Sequence, residues 1–237
     1  MDIDVHGLHQ GFLRGAAARG AECVKNSEVV AIASAGRGAL VRTTYQEYEA
    51  TIVINAAGAW ADHVAELAGL APIGLRPLRR TAMIIDLPDA PDTQWPCVAD
   101  VDEQFYFKPE AGKLLASPVN ETPSDPCDSQ PDELEIAMCA ERIEQATNIT
   151  IHRIGRRWAG LRTFAVDRAP VVGFDPARAS FFWLAGQGGF GIQTAPALGR
   201  LASHLVRGLP CPEDLGEFGF AVELVSAARK LPLGPSS

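Results

Sequence analysis

The sequence lacks the cysteine and histidine spacing that a metal site requires. Its five cysteines are scattered and form no CxxC pair, and none of its five histidines lies near a pair of cysteines at ligand spacing. We therefore expect no metal centre, and five reduced thiols as in a cytoplasmic protein. Nucleophile elbows, HExxH pairs and P-loops are also missing, so the sequence gives no support to a hydrolase.

Excess positive charge and long apolar runs are missing too. The chain has 21 Lys and Arg against 29 Asp and Glu, a formal charge of −8, whereas a nucleic-acid partner normally requires a basic face. The most apolar stretch, residues 51–75, contains Asp62 and Glu66 and predicts a strand and a helix, not a membrane span. The acidic start has no apolar core, so we expect no signal peptide.

What remains is the composition of a soluble globular protein. Of the 237 residues, 47% are apolar and 21% are charged, and the length suits one large domain or two small ones. The apolar spacing over 7–19 predicts a helix, and 28–34 with 40–44 predict a β-hairpin. The continuous β-branched run at 50–55 predicts a strand buried on both faces. A small-residue turn and a helix over 60–68 follow, an order by which open α/β sheets present ligand crevices.

The middle of the chain has a different pattern from its two ends. Short strands are predicted at 73–86, 97–101, 104–109 and 113–117, and a strand-like run at 149–154 precedes residues 158–164. Residues 119–131 predict a polar loop and 132–146 an amphipathic helix, so this region indicates an α+β subdomain. The last third returns to the first pattern, with strands at 171–174 and 181–185 and a helix over 192–207. The Pro- and Gly-rich tail, 208–237, is predicted to end loosely.

A glycine-rich segment matches GxGxxG after a strand and before a helix. Its residues are Gly186, Gln187, Gly188, Gly189, Phe190 and Gly191. Glycines allow a ligand to approach the backbone, and the first N–H groups of a helix attract anions. Pro210 and Pro212 follow the helix, and proline cannot donate to a second parallel strand. The segment therefore favours a helix start that faces a cofactor or an anion over a complete dinucleotide-binding unit, and a purely structural turn stays open.

Arginines and one tyrosine are the other candidates for chemistry. Arg162 lies in an apolar segment, where burying a guanidinium is costly without an anion. A bidentate carboxylate would satisfy it, and an ion pair with Asp167 would do so equally well. Arg76, Arg79 and Arg80 lie beside the start of an apolar strand, where they form either a solvated basic edge or a group in which one arginine faces a flavin or a substrate carboxylate. Tyr106 is either a core or rim tyrosine or part of a site.

Five motifs in order carry a family resemblance. They are Val-Ile-Asn-Ala-Ala-Gly-Ala-Trp at 53–60, Arg-Pro-Leu-Arg-Arg at 76–80, Phe-Tyr-Phe-Lys-Pro at 105–109, Ala-Gly-Leu-Arg at 159–162, and the glycine segment extended to 194. Together they resemble the FAD-dependent D-amino-acid oxidase superfamily, which includes glycine oxidase, sarcosine oxidase and the D-amino-acid dehydrogenases. The resemblance is greatest to the D-arginine dehydrogenase type and runs from Asp4 to about residue 206.

The resemblance implies an FAD-dependent oxidoreductase that acts on a small amino acid. A hydride would pass from the substrate α-carbon to flavin N5, and water would hydrolyse the resulting imino acid to a keto acid and ammonia. The FAD would be held non-covalently, because no cysteine lies in the segment 161–165, near which sarcosine oxidases attach theirs. The protein would supply orientation and electrostatics to the flavin.

The resemblance also assigns site residues. Arg162 would clamp the substrate carboxylate, Tyr106 would donate its hydroxyl to the same group, and Arg80 would line the substrate pocket. Gln193 would lie beside the flavin and the substrate at the start of the helix. The residues implied for cofactor binding are Val29, Ala57, Gly58, Gly186, Gln187, Gly188, Gly189, Phe190, Gly191 and Ile192.

The implied fold combines α/β and α+β parts. We expect an incomplete FAD-binding open sheet from 1–75 and 166–237, with an inserted, mainly antiparallel substrate domain over 76–165. Family members begin with a strand, a GxGxxG turn and a helix, and a βαβ unit needs about 30 residues that do not occur here upstream. We therefore expect the C-terminal part of a flavoenzyme, which either requires an N-terminal FAD-binding portion or self-associates through exposed strand edges.

Two alternative functions remain open at this point. The chain could be a non-catalytic remnant, or a complementing module of a split flavoenzyme. It could also be an amine oxidase of the glycine or sarcosine oxidase kind. The substrate would distinguish such an oxidase from a D-amino-acid dehydrogenase.

Overall fold

The computed structural model describes residues 2–230. Residues 231–237, the end of the tail predicted to be loose, lie outside the described part. The helices are α1 Val5–Ala17, α2 Ala61–Leu67, α3 Glu133–Ala146, α4 Gly191–Val206 and α5 Glu213–Glu217. The strands are β1 Val29–Ala35, β2 Gly38–Thr43, β3 Glu47–Ala50, β4 Val53–Asn55, β5 Arg76–Asp86, β6 Val98–Ala99, β7 Tyr106–Glu110, β8 Lys113–Ser117, β9 Thr122–Pro123, β10 Arg153–Phe164, β11 Val171–Asp175 and β12 Arg178–Ala185.

The chain divides into two compact units, which are described separately below. Unit 1 comprises the described residues up to Leu75 and those from Phe164 onward, and unit 2 comprises Arg76–Thr163. Unit 1 combines helices with two three-stranded sheets, and unit 2 places one helix on a larger antiparallel sheet. This mixed architecture confirms the predicted fold class, whereas the binding role given to each part stays a prediction.

One sheet of unit 1 has the strand order β11-β12-β4. Strands β11 and β12 are antiparallel, and β12 runs parallel to β4, so that Trp183 lies opposite Asn55. The prediction of a single strand buried on both faces at 50–55 is wrong. Residues 51 and 52 separate β3 from β4, and Ile54 is 47% exposed. Strand β4 has one neighbour among the described strands, so one of its edges is unpaired there.

The other sheet of unit 1 is an antiparallel meander, β1-β2-β3. Ile32 of β1 and Ala39 of β2 share a buried cluster with Ala61 and Ala65 of α2. Small residues on α2 let the helix lie close to the sheet, and burying this apolar surface is the main stabilising term. Helix α1 starts at the N-cap Asp4, whose carboxylate accepts the backbone N–H of Gly7 at 2.8 Å, and it buries none of its residues.

Unit 2 is a six-stranded antiparallel sheet covered on one face by α3. The strand order is β10-β5-β8-β7-β6, and β9 also pairs with β5. Asp132 caps α3 by accepting the N–H groups of Leu134 and Glu135, which satisfies donors at the helix start. The helix buries one apolar stripe against β5, β7 and β8, formed by Ile136, Cys139 and Ile143.

Two local predictions in unit 2 need correction. The sequence predicts a strand from residue 149, but β10 begins at Arg153, and Ile149 and Ile151 pack against the core instead. The loop predicted over 119–131 contains the two-residue strand β9, which forms because Leu78 and Arg79 of β5 pair with it. Both errors have one cause, since partners distant in sequence decide these conformations.

The end of the described chain is more ordered than predicted. Helix α5 and a 3-10 turn at Val222–Leu224 occupy part of the tail, and Val225 is 5% exposed in a cluster with Phe182 of β12. Within residues 2–230, no helix is long and apolar enough to cross a membrane. The same residues contain no His, Cys, Asp and Glu cluster able to hold a metal ion.

Candidate active site

The glycine segment forms the connection between β12 and α4 in unit 1. Gly186 and Gly188 adopt φ of 72° and 54°, where side chains other than glycine are strained. A Cβ on Gly188 would lie 2.3 Å from Cε1 of the Phe164 ring. Glycine is therefore required at position 188, by the backbone conformation and by the ring packed beneath it.

The predicted turn at Ala57 and Gly58 lies at the same edge of unit 1. Because β4 and β12 are parallel neighbours, their carboxyl ends lie side by side, which is where open α/β sheets bind ligands. The buried Asn55 side chain accepts the N–H of Ala57 at 3.3 Å and donates to the carbonyl of Ala61 at 2.8 Å. Gly58 has φ 58°, and a Cβ at this position would meet no atom within 4 Å.

The residues at this edge fit a flavin nucleotide. The first turn of α4, which includes Ile192 and Gln193, has no side-chain hydrogen bond at its N-cap Phe190. Its N–H groups can therefore face a partly anionic ligand. Phe190 and Ile192 are 60% and 38% exposed. Their apolar side chains therefore border the glycines of the segment, where no side chain blocks access to the backbone. Val29 lies instead on β1 of the other sheet, opposite Thr43, and is not brought to this edge.

In unit 2, the candidate residues share the sheet face opposite α3. Arg79 contacts Glu135 of α3 at 3.3 Å, and side chains alternate along a strand, so Arg80 points to the other face. The same alternation applies on β7, where Phe107 is buried in the cluster with α3 and Tyr106 lies opposite. We call this surface the open face. It carries Arg80 and Tyr106, and the charge of Arg162 acts on Arg80.

Electrostatics show that these side chains are near one another. Burial lowers the pKa of the Arg80 guanidinium, and the positive charge of Arg162 lowers this pKa further. Glu121 and Tyr106 act in the opposite direction. The Arg80 side chain is only 12% exposed, and its Nη2 donates to Glu121 Oε1 at 3.3 Å. Two cationic groups therefore lie together on a surface where Glu121 is the carboxylate in contact with Arg80.

Arg162 is half-buried, and its candidate internal partner is bound elsewhere. The carboxylate of Asp167 accepts hydrogen bonds from Arg229 Nε at 2.8 Å and Nη2 at 3.0 Å. No carboxylate pairs with Arg162 anywhere in the part of the chain that the structure describes. Its planar guanidinium is thus suited to receive a carboxylate from a ligand.

Several residues in the two candidate regions, one in each unit, were not identified from the sequence. They are Asn55, which fixes the turn at Ala57, Glu121, which contacts Arg80, and Phe164, which lies under Gly188. The guanidinium of Arg168 lies 4.0 Å from the centre of the same Phe164 ring. Asn55 could have been found, because it is a polar residue at the end of a predicted strand, directly before the small-residue turn. Glu121 had no such signal, because it lies 41 residues from Arg80.

Comparison with known proteins gives the family. The sequence profile of the DAO family, FAD-dependent oxidoreductases, matches residues 1–205. The chain belongs to this family. FAD is the family's cofactor, and the resemblance predicted from the motifs is confirmed at the level of the superfamily.

The chain aligns with only part of the length of each of these relatives. The chain is 29% identical over 181 residues to FAD-dependent oxidoreductase domain-containing protein 1 of Bos taurus, which covers 68% of this chain and 37% of that protein. It is 28% identical over 209 residues to glycine oxidase of Geobacillus kaustophilus, covering 86% and 53%. The chain therefore spans between about a third and about half of these relatives.

Solved structures share the fold. The crystal structure of the glycine oxidase from Geobacillus kaustophilus matches with a TM-score of 0.71 at 25% identity, over 86% of this chain and 54% of that one. L-proline dehydrogenase from P. horikoshii matches with the same TM-score at 23% identity, over 89% and 59%. These matches agree with the predicted combination of α/β and α+β parts.

Proposed function

We propose that the chain supplies the substrate-binding part, and part of the FAD-binding part, of an amino-acid oxidoreductase of the D-amino-acid dehydrogenase type. One observation carries the proposal most directly. Arg162 is a half-buried guanidinium that no described carboxylate pairs with, and its positive charge acts on Arg80, as does Tyr106. A buried cation without an internal anion is costly, so a ligand anion is its natural partner.

The open face binds and orients the substrate carboxylate in this proposal. Arg162 donates two parallel N–H bonds, the Tyr106 hydroxyl donates a third, and Arg80 adds positive charge beside them. Holding the carboxylate at fixed donors orients the α-carbon and its amine, and such positioning contributes several kcal/mol to many enzyme reactions. The reacting carbon is thereby presented without any nucleophile from the chain.

The cofactor contact falls on unit 1. Gly186 to Gly191, Ile192 and Gln193 would hold the flavin at the start of α4, and the turn at Ala57 and Gly58 would pass close to it. Val29 would meet the adenosine end through its backbone. FAD, when bound, supplies the two-electron acceptor for oxidation of the amine. The chain's own contribution is a backbone that a planar ring can approach and a helix start that favours negative charge.

The partners and the compartment are also proposals. An N-terminal FAD-binding portion, or a second copy of the chain, would complete a protein that spans only part of its relatives' length. Cysteines 23, 97, 127, 139 and 211 are all free thiols, which suits a reducing compartment such as the cytoplasm.

A second candidate is an amine oxidase of the glycine oxidase kind. The match to the glycine oxidase of Geobacillus kaustophilus, at 28% identity in sequence and with a TM-score of 0.71 in structure, favours it. Both functions use the same carboxylate clamp and differ in the amine. D-Amino acids with long side chains suit the first, and glycine or N-methyl amines suit the second.

The test is reduction of bound flavin without oxygen. The chain is mixed with FAD and titrated by flavin fluorescence, and the complex is then mixed anaerobically with D-arginine, D-alanine, glycine or sarcosine. Bleaching of the flavin absorbance by D-amino acids, and not by sarcosine, is expected. FAD binding without reduction by any of the four would favour a non-catalytic module. Failure to bind FAD would remove the cofactor assignment for this chain alone.

A further inference from the structure

Glu121 lies directly opposite Arg80 in the sheet of unit 2. Strand β9 pairs with β5 in the register Leu78 to Pro123 and Arg79 to Thr122. Continuing this register by one residue places Glu121 across from Arg80, and the observed contact between Glu121 Oε1 and Arg80 Nη2 measures 3.3 Å. An acidic side chain is therefore built into the open face beside the proposed substrate site.

The flanking residues fix the direction in which Glu121 points. Asn120 accepts the N–H of Thr81 at 2.8 Å and donates to Glu135 Oε2 at 2.7 Å, and Thr122 donates to Glu135 Oε1 at 2.7 Å. Both side chains thus bond to α3 on the covered face. Because neighbours alternate in an extended segment, Glu121 is held on the open face.

The contact between Glu121 and Arg80 is geometrically weak. A carboxylate paired with a guanidinium prefers two parallel bonds of about 2.7–2.9 Å, whereas Glu121 meets Arg80 in one contact of 3.3 Å. The Nε of Arg80 is buried and has no hydrogen-bond partner, and the Glu121 side chain is 34% exposed. A carboxylate placed to bond two donors would replace this contact at little cost.

We propose that Glu121 is an affinity-determining residue, which contacts Arg80 in the substrate-free protein and is displaced from it by the substrate carboxylate. The inference rests on the proposed function, since it assumes that a ligand carboxylate enters the open face. Glu121 balances one of two neighbouring guanidiniums when no ligand is bound. The substrate must displace it, so Glu121 weakens carboxylate binding and sets the substrate concentration at which the site fills.

The experiment compares three single variants with the parent chain. Propionate, a carboxylate without an amine, is titrated into the chain saturated with FAD, and its dissociation constant is measured by calorimetry. Glu121→Gln removes the competing charge, and Glu121→Asp keeps the charge but is one methylene too short for the contact. Glu103→Gln is the matched control, because the charge of Glu103 also acts on Arg80 but more weakly than that of Glu121.

The expected result is a dissociation constant about fivefold lower for Glu121→Gln, comparable to releasing an exposed ion pair, and a smaller decrease for Glu121→Asp. Glu103→Gln should change it by less than about twofold. An unchanged or higher value for Glu121→Gln overturns the inference, as does an equal effect of Glu103→Gln, which would indicate charge at a distance alone.

The Arg162→Lys variant distinguishes failure of the inference about Glu121 from failure of the proposed function. If Arg162→Lys weakens propionate binding while Glu121→Gln does not strengthen it, the carboxylate site stands and the competing role of Glu121 is wrong. If propionate binds equally with Lys at 162, or does not bind the parent and the Glu121→Gln chain at all, both the proposed site and this inference are overturned.

Discussion

The two faces of the unit 2 sheet each carry an arginine of β5, and these two arginines have different charged neighbours. Arg79 and Arg80 are consecutive on β5, and the Nε of each is buried without a partner. Arg79 faces α3, with Glu135 at 3.3 Å and Asp132 at 3.6 Å. Arg80 contacts the partly exposed Glu121 and lies in the field of Arg162. Arg79 therefore has two carboxylates beside it, whereas Arg80 has Glu121 and a second cation, Arg162, in its surroundings.

The two faces also differ in how many side chains share one carboxylate. On the covered face, Glu135 accepts hydrogen bonds from Asn120 and Thr122 as well as from Arg79. A shared acceptor of this kind stabilises the fold, because each group bonded to it would lose a partner without it. On the open face, Glu121 contacts Arg80, whose Nε remains a donor that a ligand anion could bind.

The largest effect should come from breaking the covered face. Glu135→Ala leaves Arg79, Asn120 and Thr122 without their shared acceptor. We expect the free energy of unfolding to fall by about 2–3 kcal/mol, measured by urea denaturation followed by circular dichroism. Glu121→Ala, the matched change on the open face, should cost no more than about 0.5 kcal/mol. Equal losses for the two variants would show that the faces do not differ.

The next effect should come from the open face and appear in binding. Arg162→Lys keeps the charge and removes the bidentate geometry, so binding of a substrate carboxylate should weaken by about 1.5–3 kcal/mol. Dissociation constants for propionate, or KM in an active form, provide the measurement. Arg157→Lys is the control, because Arg157 pairs with Glu133 of α3 at 3.0 Å. Unchanged affinity in the Arg162 variant would remove this residue from the site.

Prediction from sequence succeeded where the signal is local. The helix over 132–146 was readable from its apolar spacing, and the structure adds that Asp132 is its cap. The strand at 113–117 was readable from turn residues on both sides. Strand β9 and the break at 51–52 were not, because pairing with distant strands decides them. Local propensity is a weak guide wherever tertiary contacts dominate.

The candidate site residues also divide into those with a local sequence signal and those that depend on distant contacts. Arg162 could be singled out because a guanidinium in an apolar segment needs an anion, and the structure removes Asp167 as its partner by pairing that residue with Arg229. The contact of Glu121 with Arg80 depends on the register of β9 against β5, which no local pattern reveals. FAD itself came from the resemblance and not from spacing, since the glycine segment alone left a structural turn open.

A smaller effect should show how strongly Gly188 is constrained within the glycine segment of unit 1. Gly188→Ala introduces a Cβ that meets the Phe164 ring at 2.3 Å, at a φ of 54°. We expect a loss of about 1–2 kcal/mol in the free energy of unfolding, together with weaker FAD binding by fluorescence titration. Gly191→Ala is the control, because its Cβ would meet Gln187 at an ordinary 3.4 Å. If the two variants behave alike, the ring beneath Gly188 does not constrain the loop.

The smallest effect concerns the ion pair between Arg229 and Asp167, the residue that the sequence offered as a partner for Arg162. Hydrogen bonds from Arg229 hold the pKa of the Asp167 carboxyl below its usual value. A carboxyl with a lowered folded-state pKa stabilises the fold fully above its unfolded pKa of about 3.9, and this stabilisation is lost as the pH falls through the lower folded value. Arg229→Gln should therefore cost about 0.5–1 kcal/mol at pH 6 and less at pH 2.5. Urea denaturation at the two pH values measures this difference, and a cost that does not change with pH would mean that packing of the Arg229 side chain, and not its charge, stabilises this part of unit 1.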